Sequence, residues 1–341
     1  MRTIEWKDGT VITVDQTKLP DEMSFLKMKE CHQVASAIKG MSIRGAPLIG
    51  VAAAYGLALT AHHSKATEKR KLIKEIEQSA EILRKTRPTA MNLFWAVDRV
   101  VKIAREAQGS AKAVAKALVD EAQRMADEDV QANREIGRHG ARLIDDGDTV
   151  LTHCNAGRLA TVDYGTALGV IRAAWEQGKH IKVIATETRP KLQGARLTAY
   201  ELKRDGIPVT LITDSMVGYV MSKRLVNKIV VGADRIVQDG VVNKIGTYSI
   251  AILAHEHGVR FYVAAPTSTF DFTRSSKDVV VEERSPEEVT HFCSKRIAPK
   301  GVEALNPAFD VTPMKYVSAI ICETGVLSPT ELKGLATLRR V

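Results

Sequence analysis

The sequence predicts an α/β protein with a mainly helical N-terminal domain, a short β-hairpin at its start, and a parallel-sheet C-terminal domain. Three observations carry this expectation. Six short apolar runs recur in the second half of the chain, at 150–152, 183–185, 209–212, 229–231, 261–264 and 319–321. Stretches of helical periodicity separate most of these runs, as the crossovers of a parallel sheet require. The region before them keeps a helical period and holds no strand-length β-branched run. Together they describe a Rossmann-like sheet behind a helical domain.

The elements follow in order. Residues 1 to about 15 alternate apolar and polar around Asp8-Gly9, which reads as a hairpin with its turn at the tip. From Ser24 to about Ala126 the apolar residues repeat on one helical face, as in Val34 with Ile38 and Leu72 with Ile76. The acidic triplet Asp127-Glu128-Asp129 suits a helix start, with that helix running to about Ile144 and stopping at Asp145-Asp146-Gly147. The expected domains are therefore 1–126, hairpin plus helices, and 127–341, the sheet. Asp214 reads as the cap of a helix over 215–223. The polar stretch 273–285 reads as a surface excursion leading to a helix start at Ser285-Pro286-Glu287-Glu288.

Composition narrows the function classes. No apolar stretch reaches the length of a membrane span, and the N-terminus carries no signal-peptide pattern, so a cytoplasmic protein is expected. The four cysteines lie far apart without a CxxC pair, which argues against a disulfide framework or a zinc site. A net charge of +9 invites a nucleic-acid reading. The basic residues are spread out, however, and the densest cluster, Lys65 to Lys74, reads as one solvated helix face without interleaved aromatics. Small anionic substrates fit better than nucleic acid.

Open parallel sheets bind ligands beyond the carboxyl ends of their strands, so the residues that end the apolar runs are the candidates. Cys154, in Thr152-His153-Cys154-Asn155-Ala156-Gly157, is either a small buried hydrophobe or a thiol aimed at the crevice. A helix starting after it would lower the thiol pKa. Asp234, in Gly232-Ala233-Asp234-Arg235, is either a helix cap or a poorly hydrated carboxyl with a raised pKa, able to donate a proton near neutrality. Arg44, Gly45 and Ala46, before Pro47 and an apolar helix, make an anion clamp or a plain loop-to-helix junction. Arg87 sits in a similar polar turn, and Asn243-Lys244 would bring a cation to the start of a later helix. There is no HExxH, serine elbow or dinucleotide fingerprint. A thiol, an acid and phosphate-seeking cations suit proton shuttling on a small phosphorylated compound, which is isomerase chemistry more than hydrolysis or dehydrogenation.

Eight segments go further: IRGAPLIG (43–50), TRPTAMNLFWA (86–96), HCNAG (153–157), YGTALGVIRAA (164–174), ETRPKLQGARLTAYEL (187–202), GADRI (232–236), NKIGTY (243–248) and NPAFDVTP (306–313). On these the chain resembles the methylthioribose-1-phosphate isomerase family over nearly its whole length. The wider family includes ribose-1,5-bisphosphate isomerases and regulatory subunits of the initiation-factor 2B exchange factor. The resemblance implies an aldose–ketose isomerase of methionine salvage, with Asp234 as proton donor and Cys154 as the other catalytic group. It implies substrate contacts at Arg44, Gly45, Ala46, Arg87, Gln193, Asn243 and Lys244, a homodimer, and neither metal nor organic cofactor. Gln193 is reached by the resemblance alone. Arg158, Val162 and Asp163 depart from the small or neutral residues expected in this family's stretch after the cysteine. The Arg158–Asp163 pair reads as a surface salt bridge, the alternative being a related substrate such as 5-deoxyribose 1-phosphate.

Overall fold

The computed structural model describes residues 2–87 and 90–332. The chain opens with β1 (Ile4–Lys7), β2 (Thr10–Val14) and β3 (Phe25–Met28), paired antiparallel in that order. Asp8 and Gly9 join the first two with φ of 47° and 74°, the left-handed backbone that a tight hairpin turn requires. The third strand departs from the helical expectation there. Phe-Leu-Lys-Met carries no β-branched residue, and it is pairing with β2, Val11 opposite Met28, that makes it a strand.

Five helices follow: α1 (Cys31–Lys39), α2 (Ala46–His63), α3 (Lys69–Arg84), α4 (Met91–Glu106) and α5 (Ala111–Ala141). α2 is apolar all round and buried along most of its length, so it forms the axis against which α1, α3, α4 and α5 lay their apolar faces. The basic run after Lys65 becomes helical only at Lys69.

α5 corrects the expected helix start at Asp127-Glu128-Asp129. It is one helix of 31 residues, about 46 Å long at 1.5 Å per residue, and the acidic triplet lies in its middle. Its N-terminal half, with Val114, Leu118 and Met125, belongs to the helical core, and Ile136 and Ala141 belong to a core against the sheet. The Asp129 carboxylate has another use: it accepts the backbone N–H of Val162 at 2.7 Å. Val162 itself is buried in the helical core, which accounts for a branched apolar residue at that position.

Burial pushes the Asp129 carboxyl up to about 7 from an ordinary 3.8. The folded state thus holds this proton more tightly than the unfolded chain, so stability falls as pH rises between those two values. Asp129→Asn keeps an acceptor for Val162 and is expected to stabilise the protein by about 4 kcal/mol at pH 8 and by less than about 1 kcal/mol at pH 4. Denaturant midpoints that shift equally at both pH values would contradict this.

The second half is built on β4 (Thr149–Thr152), α6 (Ala167–Glu176), β5 (Lys182–Thr186), α7 (Ala199–Arg204), β6 (Val209–Ile212), α8 (Val217–Ser222) and β7 (Lys228–Val231). β8 (Arg235–Val237), β9 (Gly240–Lys244), α9 (Thr247–Glu256) and β10 (Arg260–Ala264) come next. A short excursion carries α10 (Glu287–Thr290) and the small pair β11 (His291–Phe292) and β12 (Lys295–Arg296). The described chain finishes with β13 (Phe309–Pro313), β14 (Ala319–Cys322) and β15 (Gly325–Leu327).

All six expected strands form, and they lie in one sheet of order β15-β14-β10-β7-β4-β5-β6. Every pair is parallel except β14 with β15. Side chains alternate between its faces: Ile229, Val231, Phe261 and Val263 join one core, and Val230, Tyr262 and Ala264 the other. A separate antiparallel sheet, β13-β9-β8, was not foreseen from the sequence, and it carries Asn243 and Lys244.

Candidate active site

β4 and β7 are neighbours at the centre of the sheet, and strands added after each run outward in opposite directions. That is the topological switch point, where a crevice opens beyond the carboxyl ends. Cys154 stands just past the end of β4 and Asp234 just past the end of β7. Both border one small cavity of about 40 Å³, together with Arg44, Gly45, Ala46 and Asn243.

Each side chain is placed by local structure. Gly45 precedes α2 with φ of 102°, and a Cβ there would lie 2.5 Å from Ala160 Cα, so only glycine lets the start of α2 approach the loop after Cys154. Arg44, buried, donates two bonds to Asn155, one to Oδ1 at 2.5 Å and one to the carbonyl at 2.6 Å. It ties the helical half to the cysteine loop, as the junction reading of this motif expects. Asn243 donates to Thr247 Oγ1 at 3.1 Å from the end of β9. The α9 amides just beyond are taken by Asp310, which accepts from Gly246 at 2.7 Å and Tyr248 at 3.1 Å.

Three expected residues lie outside the cavity's border. Lys244 is half-buried, its ammonium donating to the Ala308 carbonyl at 2.8 Å and lying 4.6 Å over the Phe309 ring, while its charge acts on both Cys154 and Asp234. Arg87 reaches to 3.5 Å from the Glu282 carboxylate, and its Nε and Nη1 are buried without a hydrogen-bond partner among the described residues. Gln193 lines an adjoining cleft of about 490 Å³ that meets the cavity at Arg44, and its buried Oε1 also has no donor among the described residues. A volume of 40 Å³ is close to that of a single water, whose share of the liquid is about 30 Å³. A ligand larger than that must reach into the cleft as well.

Electrostatics favour neutral forms of the central pair. Burial raises the Asp234 carboxyl above its ordinary range, against the pull of Lys244, Arg87 and Arg44. β8 follows Asp234 directly, so the helix-cap reading does not hold. Burial also raises the Cys154 thiol, against Arg44 and Lys244. This corrects the expected lowering: no α-helix starts behind Cys154, since only a single 3₁₀ turn at Arg158–Ala160 precedes α6. Burial lowers the Lys244 ammonium by the same logic.

Several residues here were missed. His153 Nε2 meets the Ile245 carbonyl at 2.9 Å, and a carbonyl only accepts, so this nitrogen carries the proton and Nδ1 accepts from Thr186 Oγ1 at 2.6 Å. Asp214 is no cap, because its two oxygens take the backbone N–H groups of Thr188 and Arg189 at 2.8 and 2.7 Å. Its place at the end of β6 was the available signal. Glu201 binds Asn155, Arg158, Leu159 and Arg172, and nothing in its sequence neighbourhood announced this. Arg158 and Asp163 do pair, at 2.7 Å, half-buried and away from the cavity border. Among the described residues no His, Cys, Asp and Glu cluster suits a metal ion, and no helix is long and apolar enough to cross a membrane.

The chain is similar to known proteins over nearly its whole length. The model of the initiation factor 2 subunit family matches residues 42–329. Methylthioribose-1-phosphate isomerase of Thermosipho africanus is 53% identical over 338 residues, covering 98% of this chain and 97% of the relative. A crystal structure of 5-methylthioribose 1-phosphate isomerase from Pyrococcus horikoshii OT3 superposes with a TM-score of 0.91 at 46% identity, covering 99% and 96% of the two chains. A structure described as translation initiation factor eIF-2B, subunit delta, from A. fulgidus superposes with a TM-score of 0.88 at 50% identity, covering 99% of each.

Proposed function

From the premise that the chain belongs to the initiation factor 2 subunit family, we propose that it is an aldose–ketose isomerase converting 5-methylthioribose 1-phosphate to 5-methylthioribulose 1-phosphate. The observation that carries this is the small cavity at the switch point, shared by a carboxyl and a thiol whose proton affinities burial raises. It works as a homodimer in the cytoplasm, on a sugar phosphate alone.

The reaction has a specific difficulty. A sugar phosphorylated at C1 does not open freely to an aldehyde, so the ring oxygen must receive a proton as its bond to C1 breaks. The net change moves one hydrogen from C2 to C1 and one from the C2 hydroxyl to the former ring oxygen. Asp234 supplies the proton to the ring oxygen and recovers one from the C2 hydroxyl, so it ends as it began. Cys154 is the second catalytic group, beside C1 and C2, where charge develops in a dry pocket. Arg44, Gly45, Ala46, Arg87, Gln193, Asn243 and Lys244 hold the substrate, Arg87 Nη1 and Gln193 Oε1 having no hydrogen-bond partner among the described residues.

The cleft favours an uncharged 5-substituent over a second phosphate. Its cations are already engaged: Arg189 donates to the carbonyls of Pro190, Glu288 and Val289, and Arg196 to those of Gln16, Thr17 and Leu19. Incubation with the 5-methylthio, 5-deoxy and 5-phospho forms of ribose 1-phosphate, read by appearance of ketose, tests the proposal. The 5-methylthio sugar should give the highest kcat/KM. Absence of ketose from all three would leave the regulatory-subunit reading, in keeping with the name of the A. fulgidus relative. Deuterium content at C1 after reaction in D₂O separates proton transfer, which imports it, from a hydride shift, which does not.

A further inference from the structure

Cys154 has φ of 61°, in the left-handed region that a side chain with a Cβ enters at a cost. Its backbone is held on both sides by threonine hydroxyls. Cys154 N–H donates to Thr188 Oγ1 at 2.9 Å, and Thr198 Oγ1 donates to the Cys154 carbonyl at 2.6 Å. Thr188 is itself left-handed, with φ of 62°, and its own N–H is fixed by the Asp214 carboxylate at 2.8 Å. The second oxygen of Asp214 takes the N–H of Arg189 at 2.7 Å, so the turn after β5 is gripped from the end of β6.

We propose that Asp214, Thr188 and Thr198 are positioning residues that hold Cys154 in its left-handed conformation and so aim its sulfur into the cavity beside Asp234. The inference deepens the isomerase reading and rests on it for the consequence in turnover, though not for the geometry. None of the three borders the cavity, so each acts through Cys154. The hydroxyl of Thr188 also lies 3.2 Å from that of Thr186, which serves His153. One chain of bonds therefore runs from Asp214 across the ends of β5 and β4 to the Ile245 carbonyl beside Lys244. A left-handed cysteine without this clamp would relax to ordinary extended or helical backbone, swinging Cβ and Sγ to another direction. Misplacement of a reacting group by about 1 Å is worth up to about 10²-fold in rate.

The test uses the full-length protein. Thr188→Val keeps the shape and removes the acceptor for Cys154 N–H, and Thr188→Ser restores it. We expect Thr188→Val to lower kcat by about 10- to 100-fold with KM changed less than about threefold, and Thr188→Ser to recover at least about a third of wild-type kcat. Iodoacetamide labelling of Cys154, followed by peptide mass spectrometry, gives a readout independent of turnover. Release from its half-buried place in the cavity should speed labelling of Cys154 in Thr188→Val by at least about threefold. Asp214→Asn, acting one bond further out, should show both effects more weakly and serves if Thr188→Val does not fold. Wild-type kcat together with a wild-type labelling rate in either folded variant overturns the proposal. Full activity in Cys154→Ala would instead remove the catalytic role of the thiol, leaving the clamp to stand or fall on the labelling rates.

Discussion

Asp234→Asn is expected to lower kcat by about 10³-fold while leaving substrate affinity within about threefold of wild type. The amide matches the carboxyl in size and keeps the shape of a cavity with room for little more than one water. It cannot deliver a proton to the ring oxygen, and among the described residues no other carboxyl borders the cavity. The wild-type carboxyl is raised by burial, against Lys244, Arg87 and Arg44, so its acid form persists above the ordinary carboxylate range. The wild-type rate should accordingly fall as pH rises through the raised carboxyl pKa, at a pH above the ordinary carboxylate range. Calorimetric binding of the ketose product, set beside steady-state rates, separates the two effects. Near-normal turnover in Asp234→Asn would show that the donor is elsewhere.

The largest expected loss of stability comes from Glu201→Leu, about 3–5 kcal/mol. Glu201 is buried on α7 and accepts from Asn155 Nδ2 at 2.9 Å, Arg158 N–H at 2.7 Å, Leu159 N–H at 3.1 Å and Arg172 at 2.7 Å. Leucine would leave two backbone donors unpaired and the buried guanidinium of Arg172 with Asp205 alone as a carboxylate partner, at 2.6 Å. Burial pushes the Glu201 carboxyl up, but Arg172, Asn155 and the Leu159 amide outweigh it and hold it below its ordinary 4.5. With the folded pKa depressed, its contribution is complete above pH 4.5 and fades as pH falls through the folded value. The gap in unfolding free energy between wild type and Glu201→Leu should thus be widest at neutral pH and narrow in acid. A pH-independent gap, or one below about 1 kcal/mol, would mean that the network is worth no more than a surface ion pair.

The central strands were legible because strands buried on both faces must be continuously apolar, as in Ile229-Val230-Val231. Cys154 and Asp234 were legible for a related reason, since a parallel sheet brings the residues just past its strands to one rim. Local chemistry that tertiary contact overrides was not legible. Asp127-Glu128-Asp129 has the composition of a helix start, yet Asp129 faces inward to Val162 from mid-helix. Asp214 has the composition of a cap, yet it serves another strand's turn. Phe25 to Met28 has no β-branched residue, and pairing with its neighbour makes it a strand. Gln193 lies beside Gly194, where a Cβ would sit 1.8 Å from the Thr186 carbonyl, a close approach that no periodicity reports.

The unbroken run of α5 from Ala111 to Ala141 also constrains how relatives can be recombined. A crossover at the compositional change near Ala126 would splice two parents inside one helix, mixing side chains that each parent fitted to a different core. The exposed turn Asp145-Asp146-Gly147 offers a cleaner junction, because there a chimera inherits the whole helix, with both of its buried faces, from a single parent.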